Sequence, residues 1–170
     1  INCCILLDSY LNMEITIRTN AKLISKKIKS LMRKSPRATR AALGKAAEFA
    51  KAGIKQRTQE KSLDAFMKPL APYSEAYIKF KGGKYTGKVD LTLTSKMWSS
   101  LTTKADARTA KLFFLGEPQR YAAYQHFGMR RGGKISKPRP FFALSDKQQK
   151  AITNISVSYT HLTLPTIYSV

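Results

Sequence analysis

The apolar residues change period along this chain, and that change restricts the folds open to it. Met13-Glu14-Ile15-Thr16-Ile17-Arg18 alternates apolar and polar, the two-residue period of a half-buried strand. From Leu23 the period lengthens. Leu23, Ile24, Ile28, Leu31 and Met32 recur at helical spacing, with Lys22, Lys26, Lys29 and Arg33 on the other face. Asn20 is placed to cap this run. Ser35-Pro36 interrupts it, with Pro36 suited to the first turn of a second helix. Ala42, Ala46, Phe49, Ala50, Gly53 and Ile54 continue the stripe to about Arg57. The two segments read as one kinked helix or as a helical hairpin. The small residues of the second permit close packing on a sheet or another helix.

Residues 58–88 are broken up by Pro69, Pro72, Gly82, Gly83 and Gly87 and read as irregular, with one helical turn near Tyr77. Lys79, Lys81, Lys84 and Lys88 make their end very basic, as in a loop or hairpin tip. Val89-Asp-Leu-Thr-Leu-Thr94 alternates as a strand. Ser95 is placed to cap a short helix carrying Met97, Trp98 and Leu101. Lys111-Leu-Phe-Phe-Leu115 reads as a strand apolar enough for burial on both faces, ended by Gly116. Tyr121–Phe127 suits a helix closed by Gly128, and Arg130-Arg131-Gly132-Gly133-Lys134 a basic loop. Pro138-Arg139-Pro140-Phe141-Phe142 is extended, since proline restricts the residue before it. Ser145-Asp-Lys-Gln148 has the capping-box pattern of a terminal helix.

Strand, helices, loop, then strands mixed with short helices is the order of an α+β fold rather than of repeated βαβ units. The expected architecture is a small, mostly antiparallel sheet with a long N-terminal helix, or helix pair, across one face and short helices between strands. The chain has 170 residues, which suits one domain with a buried core. It has no run of 18 apolar residues, so no membrane partner is expected. Its only cysteines are Cys3 and Cys4, which excludes a disulfide scaffold and a cysteine-based metal site in the remainder.

Charge divides the chain in three. Residues 1–12 hold one acid and no base, and residues 156–170 hold no charge. All 31 basic residues and nine of the ten acids lie in 13–155, a net charge of +22 there. Residues 1–12 read as a non-native leader of translated upstream sequence. Ser158-Tyr-Thr-His-Leu-Thr-Leu-Pro-Thr166 resembles a peptide encoded by sequencing-adapter DNA, so 156–170 read as a non-native tail. The expected domain is 13–155.

No acid occurs between Asn20 and Ala47, while Lys26, Lys29 and Arg33 lie in that helical stretch. So one-sided a bias favours a polyanion or an acidic partner. Lys81, Lys84, Arg130, Arg131 and Lys134 extend the candidate contacts into the loops. No aromatic residue interleaves the helical run, so DNA would be held through its phosphates and without sequence preference.

Catalytic chemistry finds little support. The segment 13–155 has no cysteine and one histidine, His126, which reads as a packed or exposed helix residue. No nucleophile elbow, phosphate-binding loop or dinucleotide fingerprint occurs. Gly82-Gly83-Lys84 and Gly132-Gly133-Lys134 lack the strand–loop–helix context such a loop needs. The acids form no pattern that would hold catalytic metal ions. No catalytic residue, metal ligand or cofactor is therefore expected.

Five segments in order carry a resemblance: Ile54-Lys-Gln-Arg-Thr58, Pro72-Tyr-Ser-Glu-Ala-Tyr77, Leu91-Thr-Leu-Thr-Ser-Lys-Met-Trp-Ser-Ser-Leu101, Tyr121-Ala-Ala-Tyr-Gln-His-Phe-Gly128 and Pro138-Arg-Pro-Phe-Phe-Ala-Leu-Ser145. Together, from Met13 to about Ile155, they resemble the tail-completion, or virion morphogenesis, proteins of tailed bacteriophages. Ser95 departs from the family's usual glycine, at little cost if the position only caps a helix. The basic stretches 79–88 and 130–134 fall in variable regions, so the family does not account for their charge.

The resemblance implies a structural protein without catalysis, a minor tail protein acting at the head–tail junction as a ring of identical copies. It implies the tail tube, tail terminator and neck or connector proteins as partners, and assembly in the bacterial host cytoplasm into the virion. DNA is a further contact through its phosphates. Tyr121, Tyr124, Phe127, Phe141 and Phe142 are more aromatic surface than one short helix and one strand need. Either all five are core, or some face a neighbouring subunit, since interface cores favour aromatics. These residues and Arg139 are the candidate assembly interface. The other reading is a non-specific nucleic-acid-binding protein that uses its basic helix and loops.

Overall fold

A computed structural model describes residues 14–18, 36–131 and 134–162. A three-stranded antiparallel sheet has the order β1 (Glu14–Arg18), β3 (Thr109–Phe114), β2 (Leu101–Ala105). Ile15 and Thr103 both pair with Leu112, and Leu101 pairs with Phe114. Residues directly opposite point to the same face, so Ile15, Leu101, Ala110, Leu112 and Phe114 turn one way, and all five are buried. The fold class is α+β, as the order of periods predicts.

The long helix α1 (Pro36–Lys55) runs on into a π-helical turn, Gln56–Glu60. Pro36 is its first residue, where the missing N–H costs no hydrogen bond. Leu43, Ala46, Ala47, Ala50 and Ile54 form its buried stripe. Leu43 and Ala47 pack with Ala110, while Ala46, Ala50 and Ile54 join Ile15, Leu112 and Phe114 in the main core. The alanines let the helix axis come close to the sheet. Arg57, on the π turn, is buried and donates to Phe141 O (2.7 Å), Ala143 O (2.8 Å) and Gln148 Oε1 (2.6 Å). Burial lowers its pKa to about 10, against the attraction of Asp64.

Three short helices follow: α2 (Glu75–Lys81), α3 (Lys96–Ser99) and α4 (Pro118–Phe127). Arg130–Arg131 (β4) and Lys134–Ile135 (β5) make a small hairpin. The last helix, α5 (Asp146–Leu162), lies along α1 and crosses the boundary expected near Ile155. Its start is a capping box. The Ser145 N–H donates to Gln148 Oε1 (3.0 Å), and the Gln148 N–H reaches back to Ser145 Oγ (3.4 Å).

Several expectations need correction. Residues 89–94 are not a strand. Asp90 and its neighbours take up the backbone groups that a ladder would use: Leu91 N–H donates to the Tyr73 hydroxyl (2.8 Å), and Thr92 N–H to Asp90 Oδ1 (3.1 Å). Leu91 also has φ +52°, outside the extended region. The strand lies instead at Leu101–Ala105. Residues 79–88 are no hairpin tip, because α2 reaches Lys81 and a 3-10 turn, Gly82–Lys84, follows. β3 is buried on one face only: on the other, Lys111 is exposed and Phe113 half-buried, and Leu115 just past the strand is exposed. Ser95 precedes α3 but its side chain makes no capping bond, and its φ is +58°. The run at 20–34 lies outside the described residues.

Candidate assembly surface

α4 has an inverted composition. It buries Ala122 and Ala123, and leaves Tyr121 (57 %), Tyr124 (37 %) and Phe127 (40 %) open to solvent. The three aromatics are spaced by three residues, so they share one face of the helix. Gly116, at φ +66°, turns the chain out of β3, Pro118 opens the helix, and Gly128, at φ +82°, ends it. Small residues inside draw α4 close to the core, and large ones outside form a hydrophobic strip.

Phe141 and Phe142 do not belong to that strip, which corrects the expectation for them. Both are buried. Phe141 packs edge-on against Trp98 at 5.5 Å, and Phe142 lies 4.9 Å from Phe114. Edge-to-face packing at such distances is favourable for aromatic rings. His126 completes the group, 6.0 Å from Phe141, with its Nδ1 accepting the Phe142 N–H at 3.2 Å. That bond places the histidine proton on Nε2. Burial lowers the His126 pKa to about 4.

Arg139 is also turned inward. It donates to Ala71 O (2.7 Å), Pro72 O (2.8 Å) and Gln125 Oε1 (3.0 Å), and lies 5.1 Å from the Tyr73 ring centre. Burial lowers its pKa, and Tyr73 and Tyr77 act in the opposite direction. It ties the 71–72 segment to α4.

The basic candidates separate as well. Lys26, Lys29 and Arg33 lie outside the described residues. Lys81 is enclosed, paired with Asp90 and flanked by the rings of Tyr73 (5.3 Å) and Tyr85 (5.9 Å). It cannot meet a polyanion. Lys84 is exposed on the 3-10 turn. Arg130, Arg131 and Lys134 fall on the β4–β5 hairpin.

Sequence reasoning missed a second apolar surface. Phe66 (72 %) and Met67 (52 %) project from a tight loop held by Asp64, whose Oδ1 accepts the N–H groups of Phe66 and Lys68, both at 2.8 Å. Beside them a broad groove of about 1420 Å³ runs between α1 and α5, with Phe49 on its wall. The available signal was an acid two residues before an apolar pair, a common Asx-turn arrangement.

Among the described residues, no three His, Cys, Asp or Glu side chains come together to hold a metal ion. None of their helices is long and apolar enough to cross a membrane. Comparison of the chain with family models, curated proteins and solved structures finds no match.

Proposed function

We propose that this chain is a non-enzymatic structural protein of a tailed-bacteriophage virion. It completes the tail or joins it to the head at the neck, working as a ring of identical copies. The observation that carries the reading is the strip on α4, where Tyr121, Tyr124 and Phe127 face solvent while alanines face the core. Contiguous exposed apolar surface marks interaction sites, and aromatics are enriched where interfaces bury surface. The ordered sequence segments supply the phage context. Its partners are then further copies of itself and the tail tube, tail terminator or connector. Replacing Tyr121 and Phe127 by serine tests the reading. The variant should stay folded and lose assembly; a variant that assembles like the parent would remove α4 from the interface.

A second reading, non-specific nucleic-acid binding, is favoured by the net charge of +21. It requires affinity for any duplex to fall steeply with salt. A flat salt dependence would reject it.

A further inference from the structure

Among the described residues β2 is an edge strand, and its unpaired side adjoins a cleft with two arginines on the opposite wall. The Asp106 N–H donates to Thr109 O (2.9 Å) and the Leu115 N–H to Ser100 O (3.1 Å). These bonds fix the phase of the β2–β3 ladder. In an antiparallel pair the bonded residues alternate with outward-facing ones. Leu101, Thr103 and Ala105 therefore turn their N–H and C=O groups away from β3; Leu101 is enclosed, so the accessible part of the edge is Thr103 and Ala105. No strand pairs with that side among the described residues.

α1 forms the other wall. Arg40, Gly44 and Glu48 make one row at i, i+4 spacing along the helix, and they line a cleft of about 530 Å³ with Thr103 and Ala105. Gly44 lies on the floor of the cleft, where a Cβ would stand at ordinary contact distance, 3.9 Å, from the Ala105 Cβ. Arg37 adds a second exposed guanidinium at the same cleft. Neither arginine has an ion pair among the described residues. The acid of the cleft, Glu48, is already engaged by Thr103 Oγ1 and by Lys51 at 3.9 Å.

An open strand edge recognises an extended backbone. Two arginines without an ion pair among the described residues select negative charge. A second copy pairing at this edge would set Lys104, Arg37 and Arg40 against their own counterparts. We propose that the cleft takes an extended acidic segment of a partner protein, which adds to β2 as a fourth strand with carboxylates against Arg37 and Arg40. The proposal rests on the strand edge and the arginines and does not depend on the bacteriophage reading.

The test uses the full chain and an eight-residue peptide alternating Glu and Val, with a Lys-for-Glu peptide as its opposite. Amide hydrogen exchange is followed by NMR. The acidic peptide should bind and slow exchange at Thr103 and Ala105, and the Lys peptide should not bind. The double variant Arg37→Glu/Arg40→Glu, at exposed positions, should weaken binding by about tenfold or more. The control Lys84→Glu/Lys96→Glu should change it little. Thr103→Pro, which removes an outward N–H, should also weaken it. No binding, binding without protection at those two amides, or equal loss in the control overturns the proposal. So does tighter binding of a single-stranded oligonucleotide at the same amides, or their protection by dimerisation of the chain.

Discussion

Lys81 Nζ lies 2.5 Å from Asp90 Oδ1, and the lysine side chain is fully enclosed. The same carboxylate oxygen accepts the Thr92 N–H and the Tyr73 hydroxyl (3.2 Å). One acid thus joins α2, the 71–74 segment and the turn before α3. Burial and the neighbouring Asp90 hold the Tyr73 phenol well above its ordinary pKa.

Removing the acid alone should be costly. Asp90→Ala leaves the Lys81 ammonium buried without its partner, a loss of about 3–5 kcal/mol. Lys81→Met with Asp90→Asn keeps an acceptor for Thr92 and removes both charges, so it should recover part of that loss. Urea unfolding of the three proteins measures the difference.

Stability should fall on acidification through His126. Its folded pKa of about 4 lies below the unfolded value of 6.5. The unfolded chain therefore takes up the proton first, and stability declines as pH drops from 6.5 toward 4, then levels off for this group. The full loss is roughly 3 kcal/mol. His126→Asn, with an amide oxygen to accept the Phe142 N–H, should flatten this part of the profile in urea melts taken across that range.

Ser95→Gly should stabilise the fold. Ser95 is exposed, makes no capping bond and has φ +58°. A left-handed residue with a Cβ is strained by about 1–2 kcal/mol, part of which the extra freedom of an unfolded glycine cancels. A gain of about 1 kcal/mol is expected in thermal or urea unfolding. An unchanged or lower midpoint would contradict it.

Local pattern marked α1 by its apolar stripe, β3 by its apolar run, α4 by the glycine that closes it and α5 by its capping box. It failed at 89–94, where the alternation of Val89, Leu91 and Leu93 imitates a strand. There the apolar spacing serves to bury Val89 and Leu91 around Asp90, and side chains take the backbone groups. Leu-Thr-Thr-Lys-Ala at 101–105 has one strongly apolar residue, so its strand character comes from pairing with β3, which no local window contains. The candidate site was half legible. Aromatic content marked both α4 and Phe141-Phe142, but only tertiary packing decides which rings are enclosed. Lys81 illustrates the same limit: nothing local distinguishes it from Lys79 and Lys84, and its burial depends on Asp90, nine residues away.

Core and surface aromatics should respond differently to truncation. Phe141→Ala should cost about 3–5 kcal/mol, as for other enclosed phenylalanines. Tyr121→Ala should change monomer stability by no more than about 0.5 kcal/mol. A large loss for Tyr121 in a monomeric sample would mean that the ring is part of the core.

The most direct measurement is the native mass of the full chain, freed of nucleic acid by nuclease, at low and at high salt. A discrete multimer should persist in high salt, since apolar contacts are not screened, and Tyr121→Ser/Phe127→Ser should reduce it to a folded monomer. A parent chain that is monomeric under both conditions, or a multimer indifferent to that double substitution, would contradict assembly through α4.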